Sequence, residues 1–335
     1  MLAHPVLGTP VARPRRSVAP DVAGRREPRP TSPLPSDPSL SCPGTPQPGA
    51  IPLPARKPFV IRPLAINCYS YIWRYSACET LAHLAEHGHR RFELMVNWPH
   101  LWPSAMGHAA RRRISRLLEE KNLKVLSLAP PMLDLNLVSN SPEVRRYSID
   151  HYIDVIRLAG EWCTPWVVVV PGKIHPLLPL PSHFRDKWFE DALEEMDRAA
   201  EAEGVKLTIE NVPSSYLPHA DDLMRRLTEI GNPRLGVTYD VANAVFVRED
   251  PAEGLRVVAP KLEFVHLSDT GVTTWAHSTI GTGVVPFDRI AVALDDIGFT
   301  GPSTLEVISQ TPDDDIAASC EALSAFGWST ADEAR

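Results

Sequence analysis

The sequence predicts a single (β/α)₈ TIM barrel, and three observations carry that reading. Short apolar runs alternate with longer amphipathic stretches, eight of each. The alternation is strict over about 270 residues, the size of one such barrel. Most of the short runs are continuous and rich in β-branched residues, as parallel strands covered on both faces require. An open doubly wound sheet is the competing α/β arrangement. It usually carries a Gly-rich phosphate turn after its first strand, and Asn67-Cys68-Tyr69-Ser70-Tyr71 holds no glycine.

In chain order, strands are expected at 59–67, 91–96, 123–128, 166–170, 205–210, 234–239, 262–267 and 303–308. Helices are expected at 79–88, 107–121, 142–160, 183–203, 220–230, 251–259, 286–297 and 313–326. Ser141-Pro142 marks one helix start, with a hydroxyl at the N-cap and proline at the first helical position. The barrel is thus expected over 59–327, with a short tail at 328–335.

The first 58 residues differ in kind. They hold 15 of the 34 prolines and carry a net charge of +5, whereas the remainder carries −12. With no apolar periodicity, this stretch cannot bury enough surface to offset its ordering entropy, and it reads as a disordered, Pro-rich basic tail. No apolar run follows Arg15-Arg16 or Arg25-Arg26, so neither pair reads as a targeting signal.

Composition narrows the function classes. A chain 44% hydrophobic and 22% charged is an ordinary core-forming protein. The acidic body suits nucleic acid poorly, since phosphate binding needs Lys and Arg. No stretch approaches the roughly 20 apolar residues of a membrane span. Five scattered cysteines without CxxC spacing fit a reducing, cytoplasmic setting. Neither nucleic acid nor membrane is the expected partner, and a homo-oligomer is left open.

Barrel enzymes place reactive groups where strands end at the C-terminal face. The fifth strand ends in Ile209-Glu210-Asn211 and the sixth in Tyr239-Asp240. The seventh ends in Val265-His266-Leu267-Ser268-Asp269, and the eighth carries Leu305-Glu306-Val307. Singly, each carboxylate reads as a helix cap or a solvated group, and the histidine as one satisfied by a carbonyl. Together at one mouth, the carboxylates would repel and desolvate one another unless they shared a cation. Three carboxylates and one imidazole, Glu210, Asp240, His266 and Glu306, suit one divalent ion. Mn²⁺, Mg²⁺, Co²⁺ and Fe²⁺ all fit, and Zn²⁺ is admissible.

The same residues carry a family resemblance. LTIEN (207–211), GVTYDVAN (236–243), FVHLSDT (264–270) and the closing run GTGVVPFDRIAVALDDIGFTGPSTLEV (281–307) resemble the sugar isomerase/epimerase barrels similar to xylose isomerase. That family includes tagatose 3-epimerase, hydroxypyruvate isomerase and inosose-processing enzymes, with endonuclease IV a more distant relative. The resemblance covers nearly all of 59–327. It implies that Glu210, Asp240, His266 and Glu306 ligate the metal, and that Glu210 and Glu306 are also the paired acid and base. Two departures stand out. Asn243 replaces a histidine often found three residues after the sixth-strand aspartate, and 270–275 lacks the arginine that commonly grips the substrate. Asn97-Trp98-Pro99 and Trp275-Ala276-His277 leave the endonuclease branch's three-zinc set incomplete.

One cation flanked by two glutamates points to proton transfer beside a carbonyl, through an enediolate. Isomerisation or epimerisation of a small sugar, cyclitol or keto-acid is the leading expectation. Dehydration of a keto-cyclitol or dehydroshikimate-like acid, a lyase reaction, shares the enolate, and abasic-site phosphodiester cleavage ranks third. Lys173 and His175, after the fourth strand, and Asn243 are expected to contact substrate. Trp98, Trp102 and Trp275 are expected over the mouth.

Overall fold

The structure, a computed structural model, describes residues 60–131 and 134–331. The tail expected over 1–58 lies outside them. Among the described residues, eight strands form the closed barrel: β1 (Arg62–Asn67), β2 (Arg91–Met95), β3 (Lys124–Ala129), β4 (Trp166–Val169), β5 (Lys206–Glu210), β6 (Gly236–Asp240), β7 (Leu262–Leu267) and β8 (Ser303–Leu305). All pair in parallel in sequence order, and β1 pairs with both β2 and β8, so the sheet closes into a barrel. The helices between them are α1 (Ala77–Glu86), α2 (His108–Glu120), α3 (Pro142–Glu161), α4 (Ser182–Glu203), α5 (Ala220–Ile230), α6 (Val241–Phe246), α7 (Pro251–Val258), α8 (Phe287–Asp296) and α9 (Pro312–Ser324). The (β/α)₈ barrel expected from the sequence is the fold.

Local chemistry explains several helix starts. At α1, the Ser76 hydroxyl accepts from the Glu79 amide while Glu79 accepts from the Ser76 amide, a reciprocal capping box. At α3, Ser141 accepts from the Val144 amide and Pro142 takes the first position, as expected. Gly204 and Gly231 end α4 and α5 in the left-handed conformation that favours glycine.

The strands turn out to alternate more than their sequences suggest. Val167 and Val169, Leu207 and Ile209, and Val265 and Leu267 belong to the large core between sheet and helices. Val168 and Phe264 belong to a second, small cluster with Met95, Ala129 and Ile72. Because side chains alternate along a strand, Thr208, Thr238 and Glu93 share the barrel interior with that cluster. The Thr238 and Thr208 hydroxyls hydrogen-bond there at 2.7 Å. Residues two further along the same inner face reach the mouth.

Two elements depart from expectation. The helix α6 directly follows β6, and at six residues it is too short to show a helical period. At the other end, 328–335 is not wholly a tail. Trp328–Ser329 form a short strand, β9, parallel to β1, and the Trp328 indole is buried, donating to the Ser303 hydroxyl at 2.9 Å. The Arg62 guanidinium lies 5.9 Å from its ring centre. Two residues after a glycine carry no pattern, so only the tertiary contact reveals them.

Candidate active site

Glu210 ends β5, Asp240 ends β6, His266 is the penultimate residue of β7, and Glu306 follows β8 directly. The ladder continues to Glu306, whose amide donates to the Leu267 carbonyl at 2.9 Å. Asp240 pairs with His266, and His266 with Thr304, in register. Strand geometry therefore brings four side chains distant in sequence to one spot, and one ligand-type atom from each lies within 4.8 Å of the others. His266 is central: its Nδ1 is 3.2 Å from Glu210 Oε1, 3.2 Å from Glu306 Oε2 and 4.0 Å from Asp240 Oδ2. All four residues are buried.

Two of these oxygens lack partners. Asp240 Oδ2 and Glu306 Oε2 are buried without a hydrogen bond, a costly state that a cation would relieve. Asp240's other oxygen is committed, since Oδ1 accepts from the Asn243 amide at 2.8 Å and caps α6. The cap thus turns Oδ2 toward the cluster. Asn211 braces the backbone here, donating to the Asp240 carbonyl at 2.9 Å and accepting from its amide at 2.7 Å. Burial, with Glu306 and Glu210 nearby, pushes Asp240's carboxyl up to about 7 against the pull of His277 and His266. Burial raises Glu306 as well, and the Glu210 and Glu93 charges add to it against the pull of His266. The donor set and its unmet oxygens fit one divalent cation.

Three further residues, none of them expected to act at the site, contribute to it. Glu93, fully buried on β2, accepts from Asn67 at 2.6 Å, from Ser127 at 2.7 Å and from His266 Nε2 at 3.1 Å. Burial alone would raise its carboxyl, but the His266 charge and these hydrogen bonds outweigh it and hold it below its ordinary value. Conversely, burial would lower His266, and Glu93, Glu210 and Glu306 hold it well above an ordinary imidazole. His277, in the loop after β7, is the second. Its Nδ1 lies 3.0 Å from the Ser268 hydroxyl, 3.6 Å from Glu306 and 3.8 Å from Asp240. Paired backbone bonds between Asp269 and Ser278 fold that loop back over the mouth. The third is Asn211. None lay in a pattern that periodicity exposes, except that a glutamate inside RFELM is anomalous for a covered strand.

The closing Gly-Thr-Gly motif has a structural reason. The Asp269 carboxylate accepts from the amides of Thr270, Gly281 and Val285. A Cβ on Gly283 would sit 2.3 Å from that carboxylate and 2.4 Å from the Thr270 carbonyl, so only glycine allows this approach.

The cluster opens into a cavity of about 440 Å³. Glu210, His266, Glu306, Asn243, His277 and Trp275 contribute polar wall, while Met95, Pro130, Pro131, Val170, Val212 and Ile308 contribute apolar wall. Asn243 is in this wall, and its side-chain oxygen accepts from the Trp275 indole at 2.8 Å. Lys173 and His175 are not. They line a neighbouring cavity with Asn136, Ser139 and Arg185, and His175 Nδ1 accepts from the Leu177 and Leu178 amides. The chain after β4 leads them aside because residues 173 and 215 pair as an antiparallel bridge. Of the three tryptophans, Trp275 lines the mouth, whereas Trp98 and Trp102 line a separate cavity beside α1 and α2.

A closed parallel barrel with acidic and imidazole side chains gathered at its C-terminal face defines the class. The chain belongs to the xylose isomerase-like TIM barrel family, whose profile matches residues 81–326. It is 26% identical over 241 residues to an uncharacterised protein of Methanocaldococcus jannaschii, covering 69% of this chain and 79% of that one. It is 22% identical over 231 residues to fructoselysine 3-epimerase of Shigella flexneri, covering 67% of this chain and 83% of that enzyme. Among solved structures, a D-tagatose 3-epimerase-like protein superposes with a TM-score of 0.70 at 22% identity, over 79% of this chain and 96% of that one. A D-allulose 3-epimerase of Methylomonas sp. gives 0.68 at 17% identity, over 81% and 100%. Among the described residues, no helix is long and apolar enough to cross a membrane.

Proposed function

We propose that this protein is a divalent-metal-dependent epimerase or isomerase of a small, uncharged sugar. The observation that carries the reading is the convergence of Glu210, Asp240, His266 and Glu306, with two buried carboxylate oxygens left without partners. Relatives named as sugar 3-epimerases support it. Glu210, Asp240, His266 and Glu306 would hold the ion. When bound, a divalent cation there supplies the positive charge that makes a hydrogen beside a carbonyl acidic.

Glu210 and Glu306 do the proton work. One carboxylate removes the hydrogen from carbon and the other returns a proton. Return to the opposite face of the same carbon epimerises it, and return to the neighbouring carbon, with the hydroxyl proton passing to the former carbonyl oxygen, interconverts aldose and ketose. Glu93 fixes the His266 ring by accepting a hydrogen bond from its Nε2–H, which leaves Nδ1 facing the cluster. Asn243, held by Trp275, and His277 offer hydrogen bonds to substrate hydroxyls. The apolar wall excludes water around the rest of the substrate, and a wall of this kind favours an uncharged sugar over a phosphorylated one.

Incubation with a panel of free ketoses and their phosphates in D₂O, followed by NMR, tests this. Deuterium should enter beside the ketone of a free sugar only when Mn²⁺ or Co²⁺ is supplied, and chelation should stop it. Exchange unaffected by chelation would refute the metal. Exchange confined to the phosphates would refute the substrate class, and loss of water would make the protein a lyase.

A further inference from the structure

Away from the mouth, three more ligand-type side chains meet on the outer surface. His83 and His87 lie one turn apart on α1, so both imidazoles project from the same face. His87 itself is the residue that caps the end of α1. Their rings are 4.5 Å apart centre to centre. Asp313, in the first turn of α9, reaches them from the other end of the chain, with Oδ1 2.8 Å from His83 Nε2. One ligand-type atom from each of the three lies within 4.8 Å of the others. A small adjustment of partly exposed side chains would bring all three to bonding distance of one ion.

The surroundings prepare two of the donors, His87 and Asp313. His87 Nδ1 is 2.9 Å from the His83 carbonyl, which can only accept, so the proton sits on Nδ1 and the lone pair on Nε2. Tyr71 donates to Asp313 Oδ1 at 2.6 Å, orienting that carboxylate. Partial burial works against its ionisation, but the hydrogen bonds from Tyr71 and His83 prevail and hold it below its ordinary value. The Tyr71 and Tyr75 rings flank His83 at 5.7 and 5.5 Å. A simple His83–Asp313 ion pair accounts for two of these groups. It does not account for a second imidazole held against them with its tautomer set.

We propose that His83, His87 and Asp313 form a second divalent-cation site, independent of the mouth. Two imidazole nitrogens and one carboxylate oxygen suit Zn²⁺, Ni²⁺ or Cu²⁺, whereas the oxygen-rich mouth suits harder ions. The site is open to solvent, so water completes the coordination. Its ligands come from α1 and α9, which follow the adjoining strands β1 and β8. An ion there ties the first and last units of the barrel together, and because it binds the folded chain selectively it stabilises that chain.

The test uses the untagged full chain, dialysed to equilibrium against Zn²⁺, with bound metal counted by mass spectrometry. Far-UV circular dichroism confirms that each variant is folded. His83→Asn, His87→Asn and Asp313→Asn should each lose one of the ions bound by the wild type, or bind it about ten-fold or more weaker. A Glu210→Gln/Glu306→Gln chain should keep that ion, which separates this site from the mouth. In that double variant, one equivalent of Cu²⁺ should show electron paramagnetic coupling to two imidazole nitrogens, reduced to one by His87→Asn. Wild-type stoichiometry and affinity in the two histidine variants would overturn the site, and wild-type binding by Asp313→Asn would remove its link to α9.

Discussion

Glu93 Oε2 lies 3.1 Å from His266 Nε2, and the two residues, 173 positions apart in the chain, form a buried pair across the barrel interior. Asn67 and Ser127 complete the hydrogen bonding of Glu93, so its charge is met on three sides. The pair sets which ring nitrogen of His266 faces the mouth. Glu93→Gln keeps the shape of the side chain but removes the charge. Metal affinity at the mouth should fall by about 10–100-fold with the fold retained. Isothermal titration with Mn²⁺ measures this, and unchanged affinity would leave Glu93 a purely structural residue.

Glu210→Gln and Glu306→Gln each retain a hydrogen-bonding group while removing a proton acceptor. Each should lower turnover by about 10²–10⁴-fold, the range of a single acid/base group. Steady-state kinetics on the free ketose that exchanges deuterium would show it. Turnover near the wild-type level in either variant would take that residue out of the proton transfer.

His89 follows α1, and burial, helped by the neighbouring His87 and Arg90 charges against the pull of Asp313, pushes its imidazole down to about 4. The unfolded chain takes up this proton near 6.5, whereas the folded chain resists it until about 4. The stability contribution is therefore present above 6.5 and declines as the pH falls from 6.5 to 4. The unfolding midpoint should drop across that window, and less so in His89→Gln. Identical slopes for the two proteins would show that another group drives the acid loss.

Trp328 is 1% exposed, its indole donates to Ser303, and its strand extends the sheet beside β1. Trp328→Ala should cost about 3–5 kcal/mol by leaving a cavity and an unpaired Ser303 hydroxyl. Urea denaturation gives the value directly. A loss under about 1 kcal/mol would mean that β9 is only loosely attached.

The amino-acid order by itself determined the strand–helix alternation, and with it the barrel and the positions of Glu210, Asp240, His266 and Glu306 just where apolar runs stop. These are local signals, since a strand's burial and its end are written in consecutive residues. Tertiary structure alone decided what meets across the barrel. Glu93 shares the inner face with His266 because the sheet closes through β1 and β8 and turns β2 and β7 toward one interior, and no spacing along the chain records that. Nor does spacing reveal that the loop after β7 folds His277 over the mouth, or that the chain after β4 carries Lys173 and His175 into another cavity. Loop paths follow from backbone pairing between distant segments, such as Asp269 with Ser278 and Lys173 with Ser215, and such pairing exists only once the chain has folded.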